Sequence, residues 1–178
     1  MEKIRKIVLW MLTGFVVVCT LSCITDASIY VPDGTVELKV GEKLPDFFIL
    51  MHNKTPLSTS DLRGRCSVII FFNTDCPDCQ RELPVIQKVY DAYGSKLRFV
   101  GISRKEADAH VQKYWEEHGF SLPYSAQEDA HIYHMFAKSG IPRVYISDEN
   151  LVIKAIFTDD PMATEEELKR EIQRVLKE

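Results

Sequence analysis

Across residues 67–93 the spacing of hydrophobic positions changes once, and the rest of the chain is read outward from that change. Val68 to Phe72 is a continuous apolar run, the pattern of a strand buried on both faces. The run breaks at Asn73-Thr74-Asp75. After Cys76-Pro77-Asp78-Cys79, apolar residues recur at Leu83, Ile86, Val89, Tyr90 and Tyr93, which is the one-sided spacing of an amphipathic helix.

Downstream, Leu97 to Ser103 predicts a second buried strand. Ser103 and Glu106 have the spacing of a capping box, opening a helix through Ala107, Val111, Tyr114 and Trp115 that stops at Gly119. Phe120 to Tyr124 is expected at a sheet edge, since Pro123 has no N–H for an inner ladder. Ser125 with Glu128 predicts a second capped helix to about Ser139, with Gly140 as its stop. Strands follow at Val144 to Ser147 and Leu151 to Phe157, joined by the turn Asp148-Glu149-Asn150. Thr164 with Glu167 caps a last helix carrying Leu168, Ile172, Val175 and Leu176.

Upstream, Val36 to Val40 is a candidate strand and Phe47 to Met51 a firmer one. His52-Asn53-Lys54 turns the chain into a short return strand, and Ser58 to Gly64 makes a glycine-closed helical turn. The order β-α-β-α-(β)-α-β-β-α, with a tight hairpin late in the chain, predicts an α/β domain. Its mixed central sheet should be flanked by helices.

Composition adds bounds rather than identity. A chain of 178 residues, 46% of them apolar, is enough for one well-buried domain. The formal charge is −4 and the body holds no basic cluster, which argues against a nucleic-acid partner. The N-terminus reads as an export signal, with Lys3, Arg5 and Lys6 ahead of the apolar run Ile7 to Val18. Ser22-Cys23 resembles a lipoprotein cleavage site with Cys23 lipidated, although Thr20 stands where that pattern usually has Leu. Two other readings are cleavage near Ala27 and retention of the segment as a membrane anchor. All three put the body outside the cytoplasm, facing the periplasm. The expected organisation is a signal segment at 1–22, a linker at 23–40 and one domain at 41–178.

The candidate chemistry lies where the buried strand hands over to the helix. Pro77 suits the first helical position, which puts Cys76 at or beside the N-cap, among unpaired N–H groups and the positive end of the dipole. Those groups favour a thiolate, the species that attacks disulfides. Cys79 follows one turn on along the same face, within reach of Cys76, so that the first thiol attacks and the second resolves. A bare C-x-x-C also describes half a zinc site; strand, C-x-x-C and helix together point to redox chemistry.

These elements, with Gly140-Ile141-Pro142 before the hairpin, resemble the thioredoxin superfamily. Within it the chain is most similar to the membrane-anchored TlpA/ResA-type thiol–disulfide oxidoreductases, through Leu44-Pro45-Asp46-Phe47, Leu57 to Gly64, Phe71 to Pro84 and Gly140 to Pro142. The resemblance implies a thioredoxin-like fold with an N-terminal β extension and a helix–strand insertion before a cis-proline. It implies Cys76 as attacking and Cys79 as resolving thiol, and Pro142 as that cis-proline. Ile141, Pro142, Pro77 and Asp78 would meet the substrate. Glu82 matches the acidic residue of a CxxCxxE pattern, able to move a proton at Cys79; otherwise it is a solvated glutamate complementing the helix dipole. The cofactor is then none beyond a redox-active Cys76–Cys79 disulfide. The partners are protein disulfides and a membrane electron donor, with a role in cell redox homeostasis.

The chain departs from that pattern at Asp75, where an aromatic residue is usual. Asp75, Asp78 and Glu82 all add negative charge near Cys76, which opposes thiolate formation and suggests a reducing poise. Two other classes compete with this reading. A thiol peroxidase of the peroxiredoxin kind wants Pro-x-x-x-Thr-x-x-Cys, but Thr74 is only two residues before Cys76. The other is a non-enzymatic module, such as a metal chaperone or a redox-inert partner; metal chaperones of this fold space their cysteines by three residues and add a histidine, unlike Cys76-x-x-Cys79. Cys66 reads as a small buried hydrophobe, and His131 with His134 as ordinary histidines without a third ligand, so no metal is expected.

Overall fold

Six successive buried side chains make β3 (Ser67–Phe72) the centre of the fold. The computed structural model describes residues 36–177. The proposed signal segment, including Cys23, and most of the proposed linker lie outside the described residues.

Before β3 come β1 (Phe48–Leu50) and β2 (Pro56–Ser58), an antiparallel pair, and the 3-10 turn Thr59–Leu62. After it come α1 (Pro77–Tyr93), β4 (Arg98–Ser103), α2 (Asp108–His118), β5 (Tyr124–Ser125), the short α3 (His131–His134), β6 (Arg143–Ser147), β7 (Ile153–Phe157) and α4 (Glu165–Val175). The main sheet has the order β5-β4-β3-β6-β7. Pairs β3–β4 and β4–β5 are parallel, β3–β6 and β6–β7 antiparallel. This is the mixed sheet expected from the alternation of strands and helices followed by a hairpin.

Adjacent strand residues point to opposite faces. Phe71 meets the rings of Tyr133, Phe136 and Tyr145, while Phe72 meets Trp115. The sheet is therefore covered on both sides, by α3 and its flanking turns on one and by α2 on the other. Inside the core, the Trp115 Nε1 donates to the Leu122 carbonyl at 2.8 Å, which satisfies its one polar atom. Among the described residues, no helix is long and apolar enough to cross a membrane.

Several local expectations fail for one reason, long-range partners outcompeting local ones. Ser103 and Glu106 do not cap α2, whose N-cap is Ala107. The Ser103 hydroxyl instead accepts from the Gln127 amide at 2.8 Å, and Glu106 turns to Thr74. Ser125 caps nothing either; its hydroxyl donates to the Leu50 carbonyl at 2.7 Å, and the predicted helix to Ser139 shrinks to α3. The expected strand at Phe120–Tyr124 is only Tyr124–Ser125, though it is an edge strand as anticipated. Val36 to Val40 is not a strand: the Val36 and Leu38 amides bond to the His134 and Phe136 carbonyls at 3.3 and 3.0 Å, holding this segment against the α3 region. The Thr164–Glu167 capping box forms as expected.

Candidate active site

The turn Asn73–Asp75 carries the chain from the end of β3 into α1 and sets Cys76. The Asn73 side chain accepts from the Asp75 amide at 2.9 Å and donates to the Arg104 carbonyl at 3.1 Å. Its carbonyl accepts from the Cys76 amide at 3.1 Å. Cys76 is the N-cap of α1, Pro77 is the first helical residue, and the Gln80 amide makes the first intrahelical bond back to the Cys76 carbonyl at 2.9 Å. Proline loses nothing there, because that N–H has no intrahelical partner.

Cys76 and Cys79 are both thiols, side by side, with Cys76 half-buried and Cys79 wholly buried. Burial drives the Cys79 thiol far above its ordinary pKa; the Asn73 amide opposes this, while Cys76 and Glu82 add to it.

On the other side, the Ile141–Pro142 peptide bond is cis and the Cys76 Sγ lies 3.7 Å from the Ile141 carbonyl oxygen. This loop is anchored from three directions. The Tyr133 hydroxyl donates to the Gly140 carbonyl at 2.7 Å. Arg143 Nε donates to the Ser139 carbonyl at 3.0 Å, and its guanidinium pairs with Glu37 at 2.6 Å. A second cis bond, Asp160–Pro161, lies in the loop between β7 and α4. From that loop the Asp159 carboxylate fills the space that a β-carbon on Gly140 would need.

Glu82 is not the solvated glutamate of the simpler reading, being only 3% exposed. Neither carboxyl oxygen has a hydrogen-bond partner in good geometry among the described residues. Its acidity is pushed up to about 7, chiefly by burial; the nearby Ala163 amide lowers it and the Asp159 charge raises it further. The other two acidic residues are engaged elsewhere. Asp78 pairs with Arg81, and Asp75, mostly exposed, faces His110 at 3.7 Å.

The fold brings the expected Cys76, Cys79, Glu82 and Pro142 close together, and the loops around them are held by Tyr133, Arg143 and Glu106, to which the sequence assigned no part in the site. No short-range pattern shows these contacts, which join residues 7 (Tyr133), 32 (Glu106) and 106 (Arg143) positions apart. Cys66, half-buried, sits at the other end of β3, and its thiol is pushed up by burial and by Asp148 and Glu149. His134 Nδ1 lies 3.4 Å from the Ala137 carbonyl.

A sheet of this order, with paired cysteines at a helix N-cap facing a cis-proline, has the fold and site of the thioredoxin superfamily. The chain belongs to the Redoxin family, whose model matches residues 39–172. It is a thiol–disulfide oxidoreductase of the TlpA/ResA-like kind. It is 26% identical over 160 residues to the thiol-disulfide oxidoreductase ResA of Bacillus subtilis, covering 88% of this chain and 87% of the relative. It is 23% identical over 137 residues to the ResA of Geobacillus thermodenitrificans, covering 76% and 78%. Among solved structures, a thiol:disulfide interchange protein of the thioredoxin family from Chlorobium tepidum superposes with a TM-score of 0.67 at 22% identity, covering 79% of this chain and 99% of that one. The thioredoxin domain of a thiol-disulfide oxidoreductase from Bacteroides vulgatus does so at 0.68 and 19% identity, with the same coverage. These two likenesses concern the fold.

Proposed function

We propose that this chain is exported, held at the periplasm-facing membrane surface through its N-terminus with Cys23 as the lipidated residue, and reduces protein disulfides there. The observation that carries the chemistry is the position of Cys76. It caps α1, touches buried Cys79 and faces the Ile141 carbonyl beside cis-Pro142. Helix N-terminal donors favour a thiolate at such a position.

The Cys76 thiolate attacks one sulfur of a client cystine. The client S–S bond breaks, a mixed disulfide forms, and the departing client sulfur takes a proton from water. Cys79 then loses its proton to the Glu82 carboxylate, and its thiolate attacks the Cys76 Sγ. The second client sulfur leaves, so the client gains two electrons and the enzyme ends as the Cys76–Cys79 disulfide, the only cofactor needed. A dithiol electron donor at the membrane returns the two electrons. Pro77, Asp78, Ile141 and Pro142 form the surface that meets the client, the Ile141 backbone pairing with an extended segment.

The reducing direction is supported by the burial of Cys79 beside Glu82. A poorly stabilised thiolate makes the dithiol less stable relative to the disulfide, which lowers the potential. Equilibration of the purified chain with a redox buffer tests this. The expected potential is near thioredoxin's ~−270 mV; a value near the ~−120 mV of a strong oxidant would overturn it. Insulin reduction without appreciable peroxide consumption or tight Cu(I) binding is expected in parallel. A Cys79→Ser variant in intact cells should hold clients on Cys76 as mixed disulfides.

A further inference from the structure

The residue just before Cys76 is held by a side-chain line that begins in the core of the inserted segment. Glu106 has a side chain only 2% exposed, and it accepts from the Thr74 amide at 3.0 Å and from the Thr74 hydroxyl. The same carboxylate contacts His110 Nδ1 at 3.2 Å, one turn along α2. The other ring nitrogen, Nε2, lies 3.7 Å from the Asp75 carboxylate. The imidazole therefore bridges a buried carboxylate and an exposed one, and both carboxylates belong to or grip the turn that leads into Cys76.

An exposed ion pair by itself contributes little, because ordering two flexible side chains offsets the attraction. Here one end is already fixed: Glu106 is locked by two bonds from Thr74 and lies 3.2 Å from His110 Nδ1, so the imidazole meets Asp75 from beside an anchored carboxylate. Other charges near the thiol pair are accounted for. Asp78 is paired with Arg81, and Glu82 lies beside Cys79 inside α1. Asp75 is thus the carboxylate next to Cys76 whose influence depends on His110.

We infer that His110 is a positioning residue for the attacking thiol: bridging Glu106 to Asp75, it holds the Asn73–Asp75 turn and offsets the Asp75 charge beside Cys76. This rests on the reading of Cys76 as the attacker. Next to Cys76 the Asp75 carboxylate opposes thiolate formation, and an imidazole held against that carboxylate moderates its effect. The aspartate that departs from the family pattern is thereby made compatible with a reactive cysteine.

The test is a cycle of His110→Gln, Asp75→Asn and the double variant in the full chain carrying Cys79→Ser. The readout is alkylation of Cys76 by iodoacetamide against pH, followed by mass spectrometry of the Cys76 peptide so that other cysteines do not contribute. His110→Gln should move the alkylation midpoint up by about half a pH unit, which is roughly 3-fold slower modification below the midpoint. Adding Asp75→Asn should return it. Asp75→Asn alone should shift the midpoint by less than it does in the His110→Gln background. Equal shifts by Asp75→Asn in both backgrounds, or no effect of His110→Gln, would overturn the inference. Loss of fold in His110→Gln, read by circular dichroism, would also overturn it, since a half-exposed positioning residue is dispensable for packing. Alkylation reports on Cys76 without any client, so a failed insulin assay and a failed cycle remain separate results.

Discussion

Glu82 lies one helical turn beyond Cys79 in α1, and both side chains are shut off from solvent, at 3% and 0% exposure. A buried carboxyl group with no well-formed hydrogen bond holds its proton more tightly than one in water, and this one is pushed up to about 7, chiefly by burial. A group that titrates near neutrality next to a thiol that burial has made reluctant to ionise is suited to taking that thiol's proton. In the parent, release of client from a preformed mixed disulfide should accelerate as pH rises through about 7. In Glu82→Gln the inflection should vanish and the step should slow on the order of 10²-fold, while the first attack by Cys76 is little changed. Stopped-flow single turnover separates the two steps.

The same burial makes a stability prediction with a definite sign. The folded-state pKa of Glu82 is raised above its model-compound value of 4.5, so the acid form favours folding. That contribution is fully present below the unfolded-state pKa and is lost as pH rises through about 7. Relative to the parent, Glu82→Gln should therefore gain stability between acid and mildly alkaline pH, by ~2–3 kcal/mol. Urea unfolding of both proteins at each pH reads the difference, and a parallel pH dependence in the two would count against it.

Gly140 is held at φ 84°, immediately before Ile141 and cis-Pro142. A β-carbon there would meet an Asp159 carboxylate oxygen at 2.8 Å, but that oxygen belongs to a side chain that can swing aside. The left-handed backbone is the harder obstacle. Gly140→Ala is expected to cost ~1–2 kcal/mol. Because the loop carries the Ile141 carbonyl that faces Cys76, client reduction should fall more than chemical denaturation alone would account for. Insulin reduction under conditions where the variant is fully folded measures that excess.

Thr164 and Glu167 satisfy each other's backbone donors at the start of α4: the Thr164 hydroxyl accepts from the Glu167 amide at 3.2 Å and the Thr164 amide donates back at 2.9 Å. Thr164→Ala should lower global stability by about 1 kcal/mol without altering thiol chemistry. A thermal melt alongside an unchanged alkylation rate at Cys76 checks both halves.

The parts of this protein whose physics is local are legible in its residues. Continuous apolar runs gave β3 and β4, the one-sided spacing gave α1 and α4, and Pro77 placed Cys76 at the N-cap. The C-x-x-C spacing put both thiols on one turn, and the likeness around Gly140-Ile141-Pro142 anticipated the cis bond. Whatever depends on partners distant in the chain is settled by long-range packing. Ser103 and Ser125 had the spacing of helix caps, yet bonds to Gln127 and Leu50 claimed their hydroxyls. Glu82 was legible as an acidic residue near Cys79, but only the packed fold removes it from water and makes it titrate near neutrality. The contacts of Glu106 with Thr74 and of Arg143 with Glu37 join segments 32 and 106 residues apart. A local pattern fixes which conformations a segment prefers; which polar group a buried side chain finally meets is set by the closure of the whole sheet, and that closure shapes the surroundings of the two thiols.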